Sequence, residues 1–332
     1  MDPSLDAELT DRLTSYRQAA SLSTKPRTIQ LHVSCISKML RTIGQGGWNK
    51  PGYVQANAEA IDNYIHSFKN DSTRRSVIIA VAGWLNALGR DKTIGADSQL
   101  IEQYEKMAHQ LGLELRSNAA KQNASAAQAA NWVAWPDLKR VIRQLGKQLE
   151  KEGVLRGEGE LPRHLRPLLL KYVVGCLYTM VPPRRLDYRA MEVITRSEFA
   201  ALPIEKRLGK NFLVRITPKN KFEFHFGDYK TADTYGEQVL PVPGPLAKVL
   251  RCWLGYHHSG PYLLGPLPLS QVQMCRLIAD TFAPTGKQVG VNLLRHSFIT
   301  YHHPPGDLQE RQEHAAAMAH SIELQHQYAL KV

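Results

Sequence analysis

The chain is poor in the features that mark several protein classes. It has four cysteines in 332 residues, at positions 35, 176, 252 and 275, with no C-x-x-C pair. That spacing encodes neither a disulfide framework nor a zinc site and fits a reducing, intracellular compartment. No apolar run approaches the 18 residues of a membrane span, and the longest candidate, Val77 to Leu88, is broken by Gly83 and Asn86. The opening MDPSLDAELTDRL is polar and acidic, unlike a secretory signal. No G-x-x-x-x-G-K-[ST] loop is present, so nucleotide hydrolysis has no support. The pairs His257-His258 and His302-His303 have no spaced carboxylate to complete a metal site, and no metal or other cofactor is expected.

What the chain does have is positive charge. Lys and Arg total 42 against 30 Asp and Glu, a net +12 with a pI near 9.5. Through residue 130 there are 15 basic and 12 acidic residues; beyond it, 27 and 18, so most of the excess lies in the C-terminal part. Such a balance favours a polyanionic partner, chiefly nucleic acid, over a membrane surface. A composition 43% hydrophobic and 22% charged is globular, and the length suits two domains.

Hydrophobic periodicity divides the chain. Residues 1–116 read as an all-α domain. Ile29, Val33, Ile36, Leu40 and Ile43 mark one helix that starts near Pro26 and stops at Gly44. Asn57 is a candidate cap for a helix burying Ile61 and Ile65, and Asp71 or Ser72 for one burying Val77, Val81 and Trp84. Leu100, Tyr104, Met107 and Leu111 mark a fourth. Residues 117–131 (SNAAKQNASAAQAAN) lack bulky side chains and read as a linker. Residues 132–332 read as a second domain, with helices over about 137–151 and 165–180. Three strands follow, at 212–217, 222–226 and 238–242, with turns at 219–221 and 232–236. Helices return from Leu246. The expected fold class is therefore α+β: an all-α domain, then a mainly helical domain with a three-stranded antiparallel sheet.

Four stretches of the second domain stand out: PPRRLDY (182–188), DYKTADTYGEQVLPVP (228–243), LLRHSFIT (293–300) and MAHSIELQHQYAL (318–330). In this order and spacing they resemble the catalytic boxes of the tyrosine recombinases, the phage-integrase family of site-specific DNA recombinases. The likeness covers residues 130–332; the N-terminal half matches only in being helical. The PPRR and YKT…YGEQ forms look most like mobile-element and viral members. The resemblance implies DNA recombination, as in integration or transposition, by a core-binding domain and a catalytic domain that clamp duplex DNA. It also implies paired recombination sites, a homotetramer on DNA, no membrane, and residence in a nucleus or nucleoid.

Its chemistry accounts for the residue types. Breaking a phosphodiester without metal requires a nucleophile, positive charge on the pentavalent phosphate and a proton donor for the leaving 5′ oxygen. By resemblance Tyr328 is the nucleophile, forming a 3′-phosphotyrosyl link. Arg184 and Arg295 clamp the phosphate oxygens, His320 adds a hydrogen bond, and Lys230 protonates the leaving oxygen. Arg184 is preferred over Arg185 because Arg184-x-x-Asp187 reproduces the family's Arg-x-x-acid spacing, with Asp187 orienting the guanidinium. Tyr301 is the nearest rival to Tyr328, but its place after LRHSFIT suggests core packing. Arg185, Lys219, Lys221, Arg74, Arg75, Lys25 and Arg27 are candidate DNA contacts.

Two positions depart from the family pattern. Asn292 stands where a histidine is usual; it can donate to a phosphate but cannot accept the phenolic proton. Four residues follow Tyr328, so the family's C-terminal exchange helix is not expected, and either assembly contacts come from elsewhere or Tyr328 acts in trans. Two further readings stand beside the recombinase: a type IB topoisomerase-like DNA-relaxing enzyme, which shares the chemistry, and a DNA-binding protein that keeps the fold without activity.

Overall fold

The computed structural model describes residues 3–22, 24–90, 98–157, 160–217, 221–256, 260–302, 308–322, 325 and 328–330. The chain folds as two compact units, Met1–Ala120 and Lys121–Val332.

The first unit is helical: α1 (Pro3–Ala19), α2 (Pro26–Ile43), α3 (Tyr53–Ala56), α4 (Ala58–His66), α5 (Asp71–Gly89) and α6 (Ser98–Ala120). Each of the longer helices turns one stripe inward. Helix α1 buries Leu5, Leu9 and Leu13, and α2 buries Ile29, Val33, Ile36 and Leu40. Helix α5, nearly continuous in apolar residues, runs through the middle of the core. Gly44 ends α2 at φ +108°, its N–H donating to Leu40 O at 2.9 Å. The cap of α5 is Asn70, not Asp71 or Ser72. Its Oδ1 accepts from the Thr73 N–H at 2.9 Å, while Asp71 pairs with Arg74 one turn on.

The second unit comprises α7 (Ala126–Asn131), α8 (Trp135–Lys151), a 3₁₀ turn (Val154–Arg156), α9 (Arg166–Thr179), β1 (Glu192–Thr195), α10 (Arg196–Ala201), α11 (Ile204–Leu208), β2 (Asn211–Ile216), β3 (Lys221–Phe226), α12 (Ala232–Tyr235), β4 (Gln238–Pro241), α13 (Gly244–Tyr256), α14 (Gln271–Phe282), a 3₁₀ turn (Ala283–Thr285), α15 (Val291–His302) and α16 (Leu308–Ala317). The fold is mixed α+β with one small sheet. That sheet has four strands in the order β1-β2-β3-β4, and β1 pairs with β2 in parallel. The expected three-stranded antiparallel sheet is thus corrected. β2, β3 and β4 are antiparallel neighbours, but α10 and α11 form a crossover that returns the chain parallel to β1. The segment expected as a turn at 232–236 holds the single helical turn α12, closed by Gly236 at φ +68°.

The tract 117–131, expected as a linker, contains the boundary between the two units and is partly helical. Helix α6 continues through Ala120, and 126–131 form α7, started by a Ser125–Gln128 capping box. Helix α7 is docked: Lys287 Nζ donates to Ala130 O at 2.8 Å, and the Gln288 N–H to Asn131 Oδ1 at 3.0 Å.

The core of this unit is formed by α8, α9, α13, α14 and α15 against the sheet's Phe224 and Phe226, with Trp135 and Trp253 fully buried. Helices α8 and α9 approach so closely at Gly175 that a Cβ there would overlap the Ile142 side chain. Among the described residues no helix is long and apolar enough to cross a membrane, and no group of three or more His, Cys, Asp or Glu is placed to hold a metal ion.

Candidate active site

The site lies where the loop after α9, the β3–β4 connection, the start of α15 and the end of α16 converge. Its scaffold is the C-terminus of α16, whose last carbonyls lack helical partners. The helix closes with a Schellman arrangement: the His320 N–H donates to Ala315 O at 3.1 Å and the Ala319 N–H to Ala316 O at 3.0 Å. Ala319 occupies the left-handed position at φ +55°, where glycine is usual. This turn sends His320 back into the protein, 4% exposed.

Two arginines and two polar side chains satisfy the exposed carbonyl end. Arg184 Nη1 donates to Ala317 O at 2.8 Å, Arg295 Nη1 to Met318 O at 3.3 Å, Gln238 Nε2 to Ala316 O at 3.1 Å and Thr231 Oγ1 to Ala319 O at 3.0 Å. Cations at the negative end of a helix are electrostatically favoured. The run Ala315–Ala317, read from sequence as helix packing, also contributes this carbonyl edge, and only Ala315 of the three is buried.

Arg184 is 1% exposed. Its Nε donates to Asp187 at 2.8 Å and its Nη1 also to Gln238 Oε1 at 2.8 Å, while the guanidinium lies over the Phe226 ring at 3.8 Å. Arg295, 0% exposed, donates to Pro183 O at 2.8 Å and meets His320 Nδ1 at 3.2 Å. Burial pulls its proton affinity down, and the neighbouring Tyr328 phenol acts in the opposite direction. Arg184 Nη2 and Arg295 Nε are buried with no hydrogen-bond partner among the described residues. Two buried guanidinium groups share one nearby carboxylate, Asp187, and hold unused donors: a place suited to an anion.

Tyr328 belongs to the same cluster. Its ring centre is 5.1 Å from the Arg295 guanidinium carbon, 5.5 Å from the His320 ring and 4.6 Å from the His296 ring, against which it stacks. On either side of it, the Gln325 N–H donates to Ser321 O at 3.1 Å and the Ala329 N–H to Gln325 O at 3.2 Å. Glu323, through which a Ser321-capped helix was expected to run, lies outside the described residues. Tyr328 therefore sits against Arg295 and His320 of its own chain. Tyr301, expected in the core, is instead 55% exposed, because it faces away from the side of α15 that buries Phe298.

No family model and no curated protein matches this chain.

The remaining expected residues are placed as follows. Lys230 is exposed on the turn after β3, but its neighbours touch the site: the Tyr229 ring lies 5.1 Å from the Arg184 guanidinium, and Thr231 bonds Ala319 O. Arg185 is half-buried close enough to oppose the charge of Arg295, and its carbonyl accepts from the Tyr178 hydroxyl. Asn292 is exposed in the first turn of α15. Lys221 is exposed at the start of β3; Lys219 lies outside the described residues, as do His257, His258 and His303. His302 packs among the rings of Trp135, Phe298 and His314. In the first unit, Lys25 and Arg27 are exposed around the start of α2. Arg74 pairs with Asp71, whereas Arg75 donates to Ala108 O at 3.1 Å and lies on Gly112 of α6. Arg75 thus bridges α5 and α6 while its guanidinium stays half-buried.

Sequence reading missed Gln238 and His296. Gln238 sits within the quoted YGEQ stretch, but its double contact to Arg184 and α16 depends on the fold. His296 was visible in LRHS, yet only its stacking on Tyr328 distinguishes it from a packed core histidine.

Proposed function

We propose that this chain is a site-specific DNA recombinase that cleaves and rejoins strands through a 3′-phosphotyrosyl intermediate. The observation that carries the reading is the convergence of Arg184, Arg295, His320 and Tyr328, from three separate stretches of sequence, into one cluster with spare guanidinium donors. In the proposed reaction the Tyr328 oxygen attacks phosphorus while the bond to the 5′ oxygen breaks. The phenolic proton passes to solvent, and Lys230 protonates the departing oxygen. Arg184, Arg295 and His320 stabilise the charge on the non-bridging oxygens. The reverse sequence with a new 5′ hydroxyl joins the strands, so the phosphate bond energy is conserved.

Both guanidinium groups are covered, so a phosphate reaches them after Gln238 or Tyr328 moves aside. On this reading the free protein is closed and DNA opens it. The charge of the second half supports phosphate binding around the cleavage point, and recombination would join paired sites within a homotetramer.

The test is to incubate the protein with random duplex DNA in EDTA, denature it and sequence any DNA that stays attached. Attachment at one recurring sequence is expected. Attachment at many sequences would replace the recombinase by a topoisomerase-like enzyme. Salt-sensitive binding with no attachment would leave only a DNA-binding protein.

A further inference from the structure

Resting on the proposed role of Tyr328, we infer that His296 and Gln128 are positioning residues which hold the nucleophile through one enforced histidine tautomer. The relay begins at the N-terminus of α7. The Ser125 N–H donates to Gln128 Oε1 at 2.8 Å, and the Gln128 N–H donates to Ser125 Oγ at 3.2 Å. Because a backbone N–H can only donate, the Gln128 amide is oriented with its NH₂ group outward. That group lies 3.2 Å from His296 Nε2. An amide NH₂ also only donates, so Nε2 must be the acceptor and the ring proton of neutral His296 must reside on Nδ1. Nδ1 is 2.8 Å from the Tyr328 carbonyl oxygen, which can only accept. Each link therefore has one allowed direction, from the α7 cap to the backbone of Tyr328.

The relay also orients the Tyr328 ring. The His296 and Tyr328 rings stack with centres 4.6 Å apart and planes 29° apart, and the Leu330 N–H is tethered to Thr300 Oγ1 at 3.0 Å. Backbone and ring are thus held from the same helix that carries Arg295. Protonation of His296 would set an N–H against the Gln128 NH₂. Burial opposes that charge, as does Arg295, the charged group set against the ring on its own helix. From α7 the ring faces the uncharged Gln128 amide; from the C-terminal segment it faces the Tyr328 phenol and carbonyl. His296 is not placed as a general base, since both its nitrogens are engaged and the phenol faces Arg295. The sequence tract that looks most like a featureless linker would then help set the place of the nucleophile.

Side-chain ¹⁵N spectra of the full chain test the tautomer without any DNA. The expected wild-type spectrum at neutral pH has a protonated Nδ1 and an unprotonated Nε2 at His296, and Gln128→Ala mixes in the other form. A wild-type Nε2–H tautomer or imidazolium would overturn the inference.

Single-turnover cleavage tests its consequence. Gln128→Ala and His296→Gln should slow covalent attachment at least tenfold, while DNA affinity stays within twofold. His296→Asn, whose amide nitrogen can take the place of Nδ1–H, should recover part of the rate that His296→Gln loses. Wild-type cleavage rates in Gln128→Ala and His296→Gln would also overturn it. If wild-type protein forms no adduct, the recombinase reading fails, and the spectra still decide the tautomer.

Discussion

The unit of chemistry here is a buried guanidinium with donors to spare. Arg295 spends its hydrogen bonds on two carbonyls and on His320, not on a carboxylate of its own. Lysine would keep the charge but lose the planar fork, so Arg295→Lys should slow cleavage by about 10²-fold or more. DNA affinity should change far less, and single-turnover cleavage beside a binding titration checks both. Lys230 can be tested through its chemistry. Lys230→Ala should slow cleavage by about 10²-fold, and sulfur in place of the bridging 5′ oxygen should restore the rate, because a thiolate leaves without an acid. If sulfur gives no recovery, Lys230 is not the proton donor. At this scale the four quoted stretches singled out Arg184, Asp187, Arg295, His320 and Tyr328 through their resemblance to one family, and the fold brings these side chains together. Gln238, Gln128 and His296 were not legible, because their roles depend on contacts between residues 54 and 168 positions apart.

Among the elements, the C-terminus of α16 organises the site, and the price is a left-handed alanine. Ala319→Gly should stabilise the protein by about 1 kcal/mol, measured by urea unfolding; a loss of stability would mean that the Ala319 methyl, 2% exposed, contributes more by packing. Gly227, between β3 and the Lys230 turn, is constrained in the opposite sense. A Cβ there would lie 2.5 Å from Arg207 O and 2.9 Å from Lys210 O, both rigid backbone atoms. Gly227→Ala should therefore cost about 1–3 kcal/mol by the same measurement, and an unchanged midpoint would show that the crossover yields. The long helices were readable from their apolar periods. Helix α1 carries a weaker signal, since Leu5, Leu9 and Leu13 form a narrow stripe in an otherwise polar, acidic segment. Strand β1 escaped because it is four residues long and half-buried throughout, and its parallel pairing depends on a crossover that no local pattern reveals. Helix α7 carries no apolar period because its side chains are small and none is buried.

For the whole molecule, two quantities follow from charge. If the second half grips several phosphates, the logarithm of the DNA association constant should fall linearly with the logarithm of salt concentration. The loss should be about 10³-fold between 50 and 200 mM; a flat response would contradict phosphate binding. Stability should also depend on pH. Burial lowers the proton affinity of His32, His296, His302 and His314 below the ordinary value of 6.5. Below that value the unfolded chain binds more protons than the folded one, so folding is weakened as pH falls. A melting temperature lower at pH 5.5 than at pH 7.5 is expected, and the reverse order would mean that these histidines are charged in the fold. The mixed α+β class was legible from the sequence, and the boundary between the two units, after Ala120, falls within the tract of small residues at 117–131, into which α6 runs for four residues.

The central claim is that Tyr328 attacks phosphorus, and peptide mapping of protein trapped on DNA tests it most directly. After denaturation and nuclease digestion, the nucleotide should remain on the peptide that contains Tyr328 and vanish in Tyr328→Phe. A nucleotide on any other tyrosine, or an adduct that survives Tyr328→Phe, would contradict the account.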